Sequence, residues 1–386
     1  MISKILKRPL FIILILFIIW RLALIFVGIF ATSYVPLGNK DRFLGGGPQN
    51  YKGAPEFFSW ANYDGEHYLS ISIHGYKFLE QAFFPVYPIL ISFFAKPLSY
   101  DAYSSLIYSI LSGLLISNLA FYFALYFLWK LITYDFSDKI AYLTIIILLV
   151  FPTSFYFGAV YNESLFLLLS ILSFYYARKG RWILAAFFGG LSSATRIFGL
   201  MLLPALLIEA WQQKLNFKQM MWLFLIPAGL IFYMLYQYLT VGDALAFYRL
   251  QKIVGEQHQS GLTLLPQVYF RYIKMFLTVD RQNPIFQTII LEFIVGVGFF
   301  ILPIYGYFKK VRLSYLVFAF LGFLTPTIQG SFSSVPRYVI VFFPSFLALA
   351  IWLDGLPKLV RNILCLASLA GLFLETSLFL RGYWVA

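Results

Sequence analysis

Long apolar runs recur along the whole chain, and they constrain its fold more than any other feature. There are about eleven of them, and several are shorter than the roughly 20 residues that a helix needs to cross a bilayer. A helix satisfies its backbone hydrogen bonds internally, which the bilayer core requires. The runs lie near 9–31, 103–129, 140–158, 164–177, 182–195, 197–210, 220–240, 285–306, 313–328, 337–353 and 362–380.

The overall composition agrees with this pattern. The chain is 61% hydrophobic and only 12% charged, which lies outside the range of water-soluble domains. We therefore predict an all-α polytopic membrane protein that forms a single transmembrane domain over residues 1–386. The runs 182–195 and 197–210 are short, and they predict half-depth or tilted helices around a cavity. The run 9–31 is too long for a typical signal peptide and predicts an uncleaved signal anchor.

Basic residues between the runs predict the orientation of the chain. If successive runs alternate in direction, the basic loops share one face, which the positive-inside tendency assigns to the cytoplasm together with the N-terminus. The same tendency explains the net charge of +13, so nucleic acid is not an expected partner. The external face then receives two long loops, 32–102 and 241–284. The basic residues are Lys4, Lys7, Arg8, Lys130, Lys139, Arg178, Lys179, Arg181, Lys214, Lys218, Lys309, Lys310, Arg312, Lys358 and Arg361.

The first external loop contains a polar segment, WANYDGEHYLSISIHGY, at residues 60–76. Apolar spacing and the stop at Gly75 predict a short interfacial helix over 64–74. Three interpretations of Asp64 remain open. It caps the helix N-terminus, where the dipole favours a carboxylate, or it is a general base that faces an external cavity, or it belongs to a metal site. The ligands of that site would be Asp64, Glu66, His67 and His74, whose spacing matches no strong zinc pattern.

Three further polar groups interrupt apolar sequence. Asn162 and Glu163 lie between two runs, where Asn162 caps a helix or the pair serves a site. Placing an arginine at the centre of the bilayer costs about 2.5–3.5 kcal/mol. Arg196 should therefore face a cavity or a partner and hold an anion. Arg337 and Tyr338 lie at the external end of a span, where the guanidinium binds either a phosphate in a site or a lipid headgroup.

Four short motifs occur in an order that resembles the PIG-V-type mannosyltransferases, a family of multi-span GT-C glycosyltransferases. The most specific is YDGEHY at residues 63–68, which continues with HGY at 74–76 and AFFPVYP at 82–88. The others are YNESLF at 161–166, ATR at 194–196 and PRY at 336–338. The similarity extends over about residues 60–345 and implies a GT-C-like fold whose long external first loop carries short interfacial helices.

The resemblance also implies an activity, which is transfer of a sugar, mannose, from a polyprenyl-phosphate donor to a hydroxyl acceptor on the external face. A phosphate leaving group needs neutralising cations and the acceptor needs one base, so a single inverting displacement with Asp64 as base fits these residues. The expected acceptor is a glycolipid or another glycan, and no cofactor or metal ion is expected. The expected substrate-binding residues are Tyr63, Glu66, His67, Asn162, Glu163, Arg196, Arg337 and Tyr338.

A transporter or flippase of a lipid-linked saccharide is the alternative function. Such a protein would also have many spans, cavity arginines and aromatic belts. It would have little reason, however, to place Asp64, His67 and the other motifs on one face only. The sequence is compatible with an accessory membrane subunit as a further partner.

Overall fold

Helices form the secondary structure of the computed structural model, which describes residues 9–38, 44–254, 263–282 and 285–385. Within these ranges there are nineteen α-helices and no strand, so the predicted all-α fold is confirmed. The α-helices are α1 Pro9–Tyr34, α2 Pro48–Gly53, α3 Pro55–Phe58, α4 Asp64–His74, α5 Val86–Ala95, α6 Ala102–Ile132, α7 Asp138–Val150, α8 Glu163–Arg178, α9 Trp182–Ser193, α10 Leu202–Gln212, α11 Phe217–Met220, α12 Leu225–Val241, α13 Ala246–Val254, α14 Leu265–Thr278, α15 Ile285–Phe308, α16 Leu313–Thr327, α17 Val335–Tyr338, α18 Phe343–Asp354 and α19 Lys358–Leu380. The 3-10 helices are Ser59–Ala61, Glu80–Ala82, Lys96–Leu98, Ser154–Gly158, Ile197–Met201, Met221–Phe224 and Val339–Val341.

Several of these helices are long and apolar enough to cross a bilayer. In the described ranges there are five such stretches, and a bent pair would make a sixth. The five are α1, α6, Phe217–Val241, α15 and α19, and the bent pair joins Val335–Val341 to α18 at an angle of 88°. The runs predicted to be short do form short apolar helices, Trp182–Ser193 and Ile197–Gln212. The prediction of about eleven spans and the orientation of the chain stay predictions.

The two predicted external loops are largely helical. The first contains α2 to α5, and the helix predicted over 64–74 is confirmed as α4, which Gly75 ends with a φ of 79°. The second contains α13 and α14. Residues 255–262 and 283–284 of the second loop, and the basic residues Lys4, Lys7 and Arg8, lie outside the described residues.

Close helix packing brings the polar motifs together. Helix α6 packs along α8, α8 along α9, and α9 along α12. The last pair approaches closely because both helices carry glycine: a Cβ on Gly229 would lie 2.0 Å from the Gly190 carbonyl oxygen. Small residues allow helix backbones to approach in this way. As a result, the N-termini of α4 and α8, the link 194–196 after α9, and α17 meet at one point.

Candidate active site

Four charged side chains from distant parts of the sequence meet where these elements converge. Asp64 Oδ2 lies 2.6 Å from Arg337 Nη1, and Arg337 Nε donates to Glu163 Oε1 at 2.7 Å. The same Glu163 oxygen lies 2.6 Å from Arg196 Nη1. The two carboxylates and the two guanidiniums therefore form one continuous cluster of alternating charge, in which the formal charges balance.

Departures from regular helix direct three of these side chains into the cluster. Arg337 lies in the single turn α17, just before the 88° bend. Arg196 has extended backbone, with φ −153° and ψ 149°, between α9 and the following 3-10 helix. Asp64 is the first residue of α4 and follows Tyr63, whose φ is +56°. A positive φ is costly for a bulky residue, and such strain is concentrated at functional sites.

Asn162 joins Arg196 to the cluster. Its Oδ1 accepts a hydrogen bond from Arg196 Nη1 at 2.9 Å, and its Nδ2 donates to the Thr195 carbonyl at 2.9 Å. Asn162 occupies the N-cap position of α8, as one interpretation predicted, but its side chain makes no capping hydrogen bond there. The cap interpretation of Asp64 is wrong, because Tyr63 occupies the N-cap position of α4 and the Asp64 carboxylate pairs with an arginine.

Aromatic rings surround the two guanidiniums. The Arg337 guanidinium carbon lies 4.6 Å from the centroid of the Tyr161 ring and 5.1 Å from that of Tyr156. Arg196 lies 5.6 Å from the ring centroids of both Phe198 and Tyr338. Cation–π attraction of this kind stabilises a buried guanidinium. Neither Tyr156 nor Tyr161 was among the predicted site residues, although Tyr161 begins the motif YNESLF and Tyr156 lies seven positions before Glu163.

Glu163 is the buried centre of the cluster. Its side chain is fully buried, whereas the side chain of Asp64 is 29% exposed. Burial alone would raise the pKa of Glu163, but Arg337 and Arg196 together hold that pKa below its ordinary value. Its Oε2 atom has no hydrogen-bond partner among the protein groups that the structure describes. Of the two carboxylates, only Asp64 therefore reaches open space.

A cavity of about 370 Å³ lies beside the cluster, within the usual size range of small-molecule sites. Five of the expected site residues line it, namely Asp64, Asn162, Arg196, Arg337 and Tyr338. An aromatic part of the lining comes from Phe83, Phe84, Phe198, Phe247, Tyr248 and Trp384. A second part carries hydroxyl and amide groups, from Thr325, Gln329, Ser331, Ser333 and Ser334. The cavity thus offers one carboxylate, two cations, aromatic rings and hydroxyl groups to a ligand.

Comparison with known families decides the class of the protein. The family profile described as Mannosyltransferase (PIG-V) matches residues 12–250, which is more than half of the chain. The chain belongs to this family. The match includes the motifs that supply Asp64, Glu163 and Arg196, whereas Arg337 lies C-terminal to it. Membership supports glycosyl transfer as the activity, and the long apolar helices make this PIG-V-family chain a multi-pass membrane protein.

Solved structures of the Archaeoglobus fulgidus oligosaccharyltransferase are similar to this PIG-V-family chain at low identity. The apo form is 12% identical with a TM-score of 0.46, over 95% of this chain and 56% of that chain. The complex of archaeal AglB with an inhibitory peptide and a dolichol-phosphate is 11% identical with a TM-score of 0.43, over 95% and 56%. This chain therefore spans little more than half of that protein's length, and the scores are too low to establish a shared fold. A search of curated proteins found no match.

Four residues expected to bind substrate in this PIG-V-family protein do not line the cavity, and one of them is the buried Glu163. The Tyr63 ring packs 5.9 Å from the Trp384 ring, and the His67 ring stacks 4.6 Å from the Phe83 ring. Their ring partners, Trp384 and Phe83, do line it. Glu66 is half-buried and accepts a hydrogen bond from the backbone of Gly47, and burial raises its pKa to about 7.

The ligands of the metal-site interpretation are not gathered in this PIG-V-family chain. Asp64 pairs with an arginine, Glu66 with backbone and His67 with an aromatic ring, while His74 is exposed at the end of α4. In the part of the chain that the structure describes, no three His, Cys, Asp or Glu side chains are close enough to hold a metal ion.

Proposed function

We propose that this PIG-V-family protein transfers mannose from a polyprenyl-phosphate donor to a hydroxyl of a glycolipid or other glycan on the external face of the membrane. The observation that carries the proposal is one partly exposed carboxylate, Asp64, in a cavity with two arginines, Arg196 and Arg337. A glycosidase would need two carboxylates that both reach the sugar. Here the second carboxylate, Glu163, is fully buried, which favours a donor that brings its own phosphate leaving group.

The reaction is a single inverting displacement. Asp64 takes the proton of the acceptor hydroxyl, and that oxygen forms a bond to the anomeric carbon of the donor sugar. The bond between this carbon and the phosphate oxygen breaks, and its electron pair leaves with the polyprenyl phosphate. Arg337 and Arg196 neutralise the phosphate as its negative charge develops. The glycoside that forms has the opposite anomeric configuration to the donor.

Glu163 acts as the counter-ion of the two arginines in this scheme. The sequence suggested that it binds substrate, but its full burial favours a role that holds the cations in place. One carboxylate oxygen lies within 2.7 Å of nitrogen atoms from both guanidiniums, which fixes the spacing between them. Two cations at a fixed spacing can both donate to a single phosphate group.

An apolar groove of about 650 Å³ provides space for the hydrocarbon chain of the donor. Neighbouring residues of the same structural elements line the groove and the cavity. Helix α4 contributes Tyr68 to the cavity and Ile71 to the groove, while Thr195 lines the cavity and Ala194 the groove. A lipid whose phosphate binds Arg196 can therefore extend its chain past Ala194 into the groove.

The direct test is transfer of radiolabelled mannose from polyprenyl-phosphate mannose to membrane acceptors by the purified protein. We expect a labelled glycoside with the wild-type protein and none above background with Asp64→Asn. Movement of the lipid across vesicles without any glycoside would instead support the flippase alternative. Addition of EDTA to the same assay tests the expectation that no metal ion is needed, and unaffected turnover is the expected result.

A further inference from the structure

A short segment of the cavity wall, residues 329–334, has no role in the reaction described above. We refer to it as the serine segment, because Ser331, Ser333 and Ser334 all line the cavity. A hydroxyl group both donates and accepts hydrogen bonds, as sugar hydroxyls do. The serine segment therefore has the chemistry to recognise a sugar. None of the four sequence motifs includes this segment.

Several of its polar groups remain available to a ligand. The hydroxyls of Ser333 and Ser334 make no hydrogen bond to other residues in the described ranges, although their backbone N–H groups do. The Ser331 hydroxyl accepts the Ser333 N–H at 2.9 Å and lies 3.4 Å from the Tyr272 hydroxyl. The Ser333 and Ser334 hydroxyls are therefore free to pair with the hydroxyl groups of a ligand in the cavity.

Side chains from α14 and α15 hold the serine segment in an unusual backbone conformation. Positive φ values occur at Gly330, 105°, and at Ser334, 62°. The Tyr272 hydroxyl accepts the Phe332 N–H at 3.2 Å and donates to Glu292 Oε2 at 2.5 Å. Glu292 Oε1 in turn accepts the Ser334 N–H at 3.3 Å. Two buried side chains, Tyr272 and Glu292, thus support a backbone shape that would otherwise be strained.

The serine segment leads directly into the helical turn that carries Arg337. The Arg337 N–H donates to the Ser334 carbonyl at 3.1 Å, so the position of the segment and that of the guanidinium are coupled. If Arg337 holds the donor phosphate, the sugar attached to that phosphate lies next to the serine segment. The adjacent ligand is therefore the donor sugar rather than the more distant parts of the acceptor.

We propose that the serine segment is the subsite for the hydroxyls of the donor sugar, and that Tyr272 and Glu292 are positioning residues that hold it. This inference rests on the proposed function, since it assumes a donor whose sugar is joined to the phosphate at Arg337. It assigns sugar selectivity to Ser333 and its neighbours, whereas the two arginines bind the phosphate of any sugar donor equally. A site that pairs with a sugar hydroxyl discriminates against a donor that lacks it or presents it differently.

The first test replaces Ser333 by alanine and compares binding of polyprenyl-phosphate mannose with binding of polyprenyl phosphate alone. One lost hydrogen bond predicts about 5-fold weaker binding of the mannosyl donor. Binding of the lipid phosphate without sugar should be unchanged. The matched control is Ser368→Ala, whose hydroxyl bonds the Val150 carbonyl away from the cavity and should affect neither ligand. Equal effects of Ser333→Ala on both ligands, or no effect on either, would overturn the sugar subsite.

The second test uses a pair of tyrosines on α14. The rings of Tyr269 and Tyr272 both lie 5.0 Å from the Phe332 ring, and both hydroxyls bond to α15, that of Tyr269 through the Gly296 carbonyl at 3.0 Å. Of the two hydroxyls, only that of Tyr272 also accepts a hydrogen bond from the backbone of the serine segment. We expect Tyr272→Phe to reduce the preference for mannosyl over glucosyl donors, measured as the ratio of their kcat/KM values, by about 5-fold. Tyr269→Phe should leave this ratio unchanged. The ratio does not depend on how much protein is folded, so a merely structural role would not change it.

These experiments separate the two levels of the proposal. If the wild-type protein transfers sugar from no polyprenyl-phosphate donor, the proposed function fails. If it transfers mannose but Ser333→Ala and Tyr272→Phe both keep the wild-type donor binding and selectivity, only the subsite assignment is refuted. Rescue of selectivity by Ser333→Thr, which restores a hydroxyl, would support the assignment further, and failure of that rescue would count against a hydrogen-bonding role.

Discussion

Replacement of Asp64 by asparagine is expected to abolish transfer and, at the same time, to strengthen the binding of polyprenyl phosphate. Asp64 Oδ2 lies 2.6 Å from Arg337 Nη1, so the proposed base competes with the donor phosphate for the same cation. When the phosphate takes Arg337, it releases Asp64 to accept the proton of the acceptor hydroxyl. Donor binding therefore prepares the base, and the donor should bind before the acceptor.

The magnitude follows from the geometry of this ion pair. Opposite charges about 4 Å apart attract by about 4 kcal/mol at the effective dielectric constant of a protein surface. Since the Asp64 side chain is 29% exposed, water screens part of this attraction, and asparagine retains a hydrogen-bond acceptor. We therefore expect the binding free energy of the phosphate to improve by about 1–2 kcal/mol, as for the gain of a hydrogen bond between charged groups. This change corresponds to about 5- to 30-fold tighter binding of the phosphate. Loss of the general base should lower kcat by about 100-fold or more.

The assay is equilibrium binding of polyprenyl phosphate to purified wild-type protein and to the asparagine variant, combined with transfer measurements on both. Asp354→Asn is a matched control, because Asp354 pairs with Lys139 and Arg361 outside the cavity and should change neither quantity. Weaker or unchanged phosphate binding in Asp64→Asn would show that the phosphate does not compete with Asp64 for Arg337. Retained transfer would show that Asp64 is not the base.

Three further predictions test other parts of the account. Glu163→Gln should lower the free energy of unfolding by about 3 kcal/mol, because it leaves the buried Arg196 guanidinium without its counter-ion and Arg337 with Asp64 alone; an unchanged thermal midpoint would contradict this. The folded-state pKa of Glu66, about 7, lies above its ordinary value of 4.5, so the native state retains this proton to higher pH than the unfolded state does. Stability should therefore fall as pH rises from about 4.5 to about 7, and Glu66→Gln should remove this part of the decline in thermal unfolding scans. Ala228→Trp should fill the groove and raise the KM of a long-chain donor by about 10-fold but not that of a short-chain analogue, whereas Ile231→Trp, on the exposed side of the same helix, should affect neither donor.

Local sequence chemistry was sufficient to predict the elements that depend on neighbouring residues. The helix over 64–74 follows from apolar spacing and from Gly75, which supplies the positive φ that ends it. The need of Arg196 for a partner follows from the cost of an unpaired guanidinium in apolar sequence, and Glu163 is that partner. In both cases the local sequence strongly favours one arrangement, and the tertiary structure contains that arrangement.

The pairings within the site could not be predicted in the same way. Arg337 and Glu163 are 174 positions apart, and no periodicity of either segment specifies their contact. The direction of Arg337 depends on an 88° bend in what looks like one continuous apolar run. The function of Asn162 was also ambiguous, because the same amide that can cap a helix instead bonds Arg196 and the Thr195 carbonyl across two elements.

The serine segment shows a further limit. Its sequence, QGSFSS, resembles an ordinary polar turn between two apolar runs. Its support by Tyr272 and Glu292, which lie about 40 to 60 positions earlier, indicates that its shape is maintained. Buried polar side chains that hydrogen-bond a distant backbone determine which loops keep a fixed shape. Composition and spacing do not distinguish these side chains from other buried residues.

The central claim is that polyprenyl-phosphate mannose is the donor in a single inverting displacement, and the product of one turnover tests it most directly. Purified protein in excess is mixed with labelled donor and a membrane glycan acceptor, and both products are quantified. The account predicts one glycoside for each polyprenyl phosphate released, with the anomeric configuration opposite to that of the donor. Absence of a glycoside, or retention of the donor's configuration, would contradict it.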